Sequence, residues 1–295
     1  MTPARLFQEA ARRFVHSGHA GRLSPAVSVA LVLPLLAIVG IGFILPVWRL
    51  VALSFADGAA NYQRLLDDTL YLEVFAVTGA TAACVTVLCI VLGYPVAYAM
   101  NHLKGKAAVL AAACVFIPLW TSVLIRSYAW IILLQRNGAL NSLLGAAGLG
   151  DHPVKILYTQ AAVVLGMTHI LLPFAILPIY ATLRSLPPDL VRAAANLGAG
   201  PVRAFLLITL PLSLPGVFAG TVLCFVMALG FYITPALLGG PGSLLVATLI
   251  GQQTTVLLDW PFAAALSTVL LGATLFIVII FRRAISTSKG FQSVH

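Results

Sequence analysis

Apolar residues run along this chain in six long stretches parted by short polar or basic segments: Val27 to Leu50, Leu72 to Met100, Ala107 to Leu134, Thr159 to Leu183, Leu210 to Ile233 and Phe262 to Phe281. A helix rises about 1.5 Å per residue and a bilayer's hydrocarbon core is about 30 Å thick, so about 20 apolar residues cross it. Each stretch meets that length. The pattern predicts an all-α integral membrane protein whose six transmembrane helices occupy residues 26–283, between polar tails at 1–25 and 284–295. The N-terminal tail, with Arg5, Arg12, Arg13 and Arg22, lacks the short apolar core and small-residue cleavage site of a signal peptide and reads as a tail before an uncleaved span.

Composition agrees: 61% of the 295 residues are hydrophobic and 8% charged, against roughly a quarter charged in a soluble domain. The net charge of +9 is explained by orientation rather than by nucleic acid, since no basic patch carries interleaved aromatics. With the N-terminus in the cytoplasm, the inner side holds Arg5, Arg12, Arg13, Arg22, Lys104, Lys106, Arg184, Arg192, Arg203, Arg282, Arg283 and Lys289, and the outer side only Arg49, Arg64, Arg126, Arg136 and Lys155. This asymmetry predicts that both termini are cytoplasmic. Asp57, Asp67, Asp68, Glu73, Asp151 and Asp259 fall outside, and Trp48, Trp130 and Trp260 sit where an outer aromatic belt is expected.

Cys84, Cys89, Cys114 and Cys224 all lie inside apolar runs, with no CxxC pair and no histidine at ligand spacing, so they read as packing residues and no metal site is expected. Prolines punctuate the spans at Pro95, Pro118, Pro173, Pro178, Pro215 and Pro235. Each frees a backbone carbonyl and kinks its helix. Packing and curvature account for any one of them; several together favour a bundle that moves.

The inner segment "DLVRAAANLGAGPVRAFLLITLPLSLPG", Asp189 to Gly216, is the most patterned part of the chain. Pro187 and Pro188 suit a helix start, Asp189 favours its dipole, and Gly198 suits its left-handed stop. A second short helix then runs from Pro201 through Phe205 and Ile208 into the fifth span. The expectation is a helix, bend and helix across residues 185–211, narrow at Ala193, Ala194 and Ala195. It either rests on the inner leaflet or passes force from a partner to the bundle.

The spacing of Ala193, Ala194, Gly198, Ile208, Leu210 and Pro211 resembles the EAA loop of inner-membrane permeases in binding-protein-dependent ABC importers. Arg192 stands where the family has glutamate. Further phrases, "LGYPVAYAM", "IPLWTSVLIRSYAWIILL", "LGFYITPALLGGP" and "DWPFAAAL" among them, resemble the first permease subunit of the spermidine/putrescine branch.

The resemblance implies a type I importer permease fold with a cytoplasmic coupling helix, in a bacterial inner membrane. It implies two ATPase subunits carrying ATP and Mg, a second and related permease, and an extracytoplasmic binding protein delivering a small organic solute such as a polyamine. Coupling to the ATPase would fall to Asp189, Arg192, Ala193, Ala194, Leu197, Gly198 and Arg203. The chain itself has no G-x-x-x-x-G-K-[ST] loop and is expected to bind no cofactor.

Candidate pathway residues are Trp120, His169, Phe231 and Tyr232. His169 falls near mid-membrane, either facing a water-filled path or bonded to a neighbouring helix. Arg126 either snorkels to the outer interface or faces the path, where it repels a cation or holds an anion. Phe231 and Tyr232 line a gate, stack on an organic cation or pack the core. Asp259 is either a docking carboxylate for the binding protein or a solvated charge. The rival reading is an ATP-independent secondary transporter or channel, which leaves the patterned loop unexplained and would be expected to show intramembrane carboxylates. An intramembrane enzyme lacks any H-E-x-x-H or G-x-S-x-G motif here.

Overall fold

The computed structural model describes residues 25–148 and 154–290. Arg5, Arg12, Arg13, Arg22 and Asp151, placed from the sequence above, lie outside the described residues. The chain divides into two compact units, Met1–Ala52 and Leu53–His295. In the first, α1 (Pro25–Ser54) carries Pro34 and Pro46 and is long and apolar enough to span a membrane.

The second unit is built around α7 (Gln160–Ser185). Buried residues make up 61% of its most apolar window, against 39% for α3 (Thr69–His102) and 33% for α9 (Pro201–Leu229), so α7 is the axis on which the other two pack. Small residues make that packing close. A side-chain carbon at Gly216 of α9 would lie 2.5 Å from Thr182 Oγ1 and 2.7 Å from the Pro178 carbonyl of α7, and one at Gly220 would lie 3.1 Å from the Ala175 carbonyl. Gly216 and Gly220 thus form a G-x-x-x-G contact, the arrangement by which helices in lipid gain van der Waals packing. Cys89 and Cys224 donate from α3 and α9 to the Thr168 and Leu171 carbonyls of α7, each at 3.6 Å, as packing residues.

Three spans depart from the sequence expectation. The third is not one helix: α4 (Gly105–Trp120) ends at Thr121 and Ser122, both in extended conformation, and α5 (Val123–Leu134) begins afresh with the Ser122 hydroxyl accepting from the Leu124 N–H. The segments Gly105–Trp120 and Val123–Ala146 make an angle of 103°. Pro118 removes one helical donor, and the hydroxyls of Thr121 and Ser122 offer the backbone local bonds instead. Beyond α5, "GALNSLL" forms a short helix, α6 (Ala139–Ala146).

The fifth span begins at Pro201 and stops at Leu229, before the predicted Ile233. Its Phe205–Thr209 turn is π-helical, with the Leu210 N–H reaching back to the Phe205 carbonyl. Pro211 has no N–H to give, and the wider turn accommodates it. Pro235 therefore does not interrupt span five; it lies in a separate helix, α10 (Ile233–Leu238).

The region after span five is not a plain loop. After α10, α11 (Val246–Thr255) docks its N-terminus on α3, where the buried Thr78 hydroxyl accepts from the Val246 N–H at 2.9 Å. The last helix, α12 (Trp260–Gly290), runs past the predicted Phe281. One further helix, α2 (Ala60–Asp67), precedes α3, and α8 (Pro188–Asn196) lies between α7 and α9.

Candidate functional site

Four places carry the candidate residues. The first is the loop between α7 and α9. Leu186 is extended and Pro187 caps α8, whose first residue is Pro188. At the other end the Gly198 N–H donates to the Ala195 carbonyl and the Ala199 N–H to the Ala194 carbonyl, both at 3.0 Å, while Gly198 takes φ +84°. That is the Schellman arrangement, and it needs a left-handed residue where Gly198 stands.

Gly200 and Pro201 then start α9. No residue of α8 is buried, and Leu197 is 89% exposed. Arg192 Nη1 donates to Asp189 Oδ1 at 3.4 Å, with both side chains largely exposed. The predicted helix, bend and helix is therefore present. It is held by two helices that are themselves locked together at Gly216 and Gly220.

Beside this loop, Phe205 of the π turn packs edge-on against Tyr94 and Tyr98 of α3, at 5.9 and 5.1 Å between ring centres. The Tyr94 hydroxyl lies 2.8 Å from Ser213 Oγ, which donates to the Leu210 carbonyl. Tyr94 is therefore the donor to Ser213. The start of α9 is thus fastened to α3 as well as to α7.

The second place is polar and lies within the spans. Trp130 Nε1 of α5 donates to His169 Nδ1 of α7 at 3.2 Å, with the rings edge to face at 5.8 Å. His169 is the tenth residue of α7, about 14 Å along it. Trp130, which the sequence suggested for an outer belt, is thus engaged by α7. Arg126 precedes Trp130 by one helical turn, on the same face of α5 that meets His169. Its Nε and Nη1 are buried without a hydrogen-bond partner. Ser127 Oγ donates to the Val123 carbonyl and so accepts from Thr234 Oγ1 of α10 at 2.9 Å. The structure brings Trp130, rather than Trp120, onto His169; Trp120 stands 90% exposed at the end of α4.

The third place is the junction after α9. Phe231 packs on the core formed by Cys89, Met167 and Ala228. Tyr232 lies against Gly251 of α11, where a side-chain carbon would come within 2.5 Å of its ring. The fourth is Asp259. Its Oδ1 accepts from the Phe262 N–H at 3.1 Å, capping α12, and its Oδ2 accepts from Arg64 Nη1 at 2.9 Å. Arg64 also lies over the Phe262 ring at 4.1 Å. Burial works against its charge, but the bonds to Asp259 and Tyr71 outweigh this and hold the guanidinium above its ordinary pKa. Sequence reasoning missed the Arg64 partner, 195 residues away, and missed Trp130 as the partner of His169. The only sequence signal for the latter is the i, i+4 spacing of Arg126 and Trp130.

A two-helix loop held at the end of a helical bundle, with a polar cluster on its long central helix, fits a transport permease. The chain matches, over residues 21–287, the family described as binding-protein-dependent transport system inner membrane component. It belongs to that family. It is 39% identical over 220 residues to the spermidine/putrescine transport system permease protein PotB of Escherichia coli (strain K12), which covers 74% of this chain and 80% of that protein. Identity to the protein of the same description from Haemophilus influenzae is 35% over 227 residues, 76% of this chain and 79% of that one.

A bacterial ABC transporter involved in the import of the acidic polysaccharide alginate aligns with a TM-score of 0.69 at 18% identity, over 95% of this chain and 99% of its own. The alginate transporter in complex with a pentasaccharide-bound periplasmic protein aligns with the same score at 20% identity, over 94% and 96%. Both show the fold. The chain is a multi-pass inner-membrane permease of a binding-protein-dependent ABC importer, a transporter component rather than an enzyme.

Proposed function

We propose that this permease forms half of the path of an ATP-driven importer whose solute is a small amine, a polyamine such as spermidine or putrescine. The observation that carries the ATP-driven part is α8: an exposed, alanine-narrow helix whose ends are set by Pro187 and Gly198. A displacement of α8 reaches α7 through Leu186 and α9 through Gly200. Because Gly216 and Gly220 bind those two helices closely, they move as a pair.

On this reading α8 and both termini face the cytoplasm, as the basic residues favour, and two ATPase subunits carrying ATP and Mg grip α8. A related second permease completes the path, and a soluble binding protein delivers the solute on the other side. The identity to PotB supports the polyamine. The scarcity of carboxylates in the spans favours recognition of a cation by the binding protein or by the second permease. Gentle purification of the tagged chain from its native membrane, with mass spectrometry of what stays bound, tests the assembly. An ATPase and a second permease are expected, with the ATPase lost when Ala194 and Gly198 are made bulky. Recovery of the chain alone, with the bulky variant behaving identically, would end the ATP-driven reading. Uptake of labelled putrescine and spermidine tests the solute.

A further inference from the structure

The cluster of Arg126, Trp130 and His169 contains donors without an acceptor. An indole N–H can only donate, so the 3.2 Å bond from Trp130 occupies His169 Nδ1 as acceptor. The proton of the neutral imidazole is thereby fixed on Nε2. His169 is exposed on α7, so its remaining N–H is available to a group from outside this chain. Arg126 cannot shed its proton, and its Nε and Nη1 are shielded without a partner. No ion pair among the described residues includes Arg126. The described acidic residues lie in loops or near helix ends; Glu73, the one farthest inside a span, is the fifth residue of α3.

We propose that Arg126 and His169 form a binding site for a carboxylate group. The planar guanidinium fork matches a carboxylate edge, and the Nε2–H of His169 offers a further donor to the same group. Trp130 is a positioning residue: its N–H sets the imidazole tautomer and its ring sets the imidazole plane. The Ser127–Thr234 bond and the close approach at Gly166, where a side-chain carbon would lie 2.8 Å from the Thr234 methyl, hold α5 and α10 against α7. Two sources offer the carboxylate: the transported solute, or an aspartate or glutamate of the second permease. The inference rests on the two-permease importer reading, and it narrows the solute class if the solute is the source.

The test compares wild type, Arg126→Gln, Arg126→Lys and His169→Asn in the assembled importer, with recovery of the second permease and uptake of two probes as readouts. Putrescine and 4-aminobutanoate are suitable probes, since one aminomethyl group of the first is a carboxylate in the second. If the solute supplies the carboxylate, Arg126→Gln leaves assembly intact and shifts the uptake ratio at least tenfold towards putrescine, with Arg126→Lys intermediate. If the second permease supplies it, Arg126→Gln lowers recovery of that subunit at least tenfold, uptake of both probes falls together, and Arg126→Lys restores part of each. Unchanged assembly with an unchanged ratio overturns the site. If the wild type takes up neither probe, the small-amine reading fails. Recovery of the second permease with Arg126→Gln then decides the site alone, a loss supporting it and full recovery overturning it.

Discussion

Asp259 Oδ2 accepts from Arg64 Nη1 at 2.9 Å while its other oxygen caps α12 through the Phe262 N–H. One carboxylate thus fastens α2 to the start of the last span. Its two bonds differ in worth: a lost N-cap costs about 0.5 to 2 kcal/mol, whereas an exposed ion pair contributes about 0 to 1.

Asp259→Asn keeps a capping oxygen and removes the charge, so it should change thermal stability little, while Asp259→Ala should lower it by about 1 kcal/mol more. Unfolding of the purified chain in detergent checks this. A carboxylate that also docks the binding protein would show a second effect. Asp259→Asn would then lower binding-protein-stimulated ATP hydrolysis at unchanged stability.

The close contact of α7 and α9 predicts a graded series. Gly216→Val forces a side chain against Thr182 and the Pro178 carbonyl and should destabilise by about 1 to 3 kcal/mol. Gly220→Ala should cost less, and Gly79→Ala or Gly272→Ala, with open space around them, should be near neutral. Thermal midpoints of the variants decide the order, and equal midpoints for Gly216→Val and Gly79→Ala would refute the close contact.

Gly198→Ala places a side chain at φ +84°, which costs about 1 to 2 kcal/mol. The strain falls on an exposed loop, so the bundle should remain folded while coupling suffers. The expected result is retained assembly of the two permeases with ATP hydrolysis no longer stimulated by the loaded binding protein. Gly198→Asn should be milder, since asparagine tolerates the left-handed region.

Gly251→Ala should displace the Tyr232 ring resting on it. If that contact sets Tyr232 for the path, Gly251→Ala and Tyr232→Ala should lower uptake to a similar degree, and the double variant should be no worse than either single one. Additive losses would mean that the two residues act separately.

The spans were legible because length and apolarity decide them: the fourth, expected at Thr159 to Leu183, forms at Gln160–Ser185. The bend after Gly198 was legible too, because only local backbone chemistry is involved. The break at Thr121 was hidden because apolar residues continue on both sides of it, and two hydroxyls redirect the chain without lowering its hydropathy. The docking of α11 on Thr78 and the pairing of Arg64 with Asp259 are contacts between residues far apart in the chain, set by tertiary packing. His169 stood out as an intramembrane histidine. Its partner did not, because a tryptophan near a span end also fits an interfacial belt.

On the proposed reading, α8 is where an ATPase subunit grips this permease. A photo-cross-linking residue at position 197, where the leucine side chain is 89% exposed, tests it most directly in intact cells. The expected result is an adduct between this chain and the ATPase, weakened by Gly198→Ala. Adducts with lipid alone, at full expression of the ATPase, would show that α8 rests on the membrane and grips no ATPase.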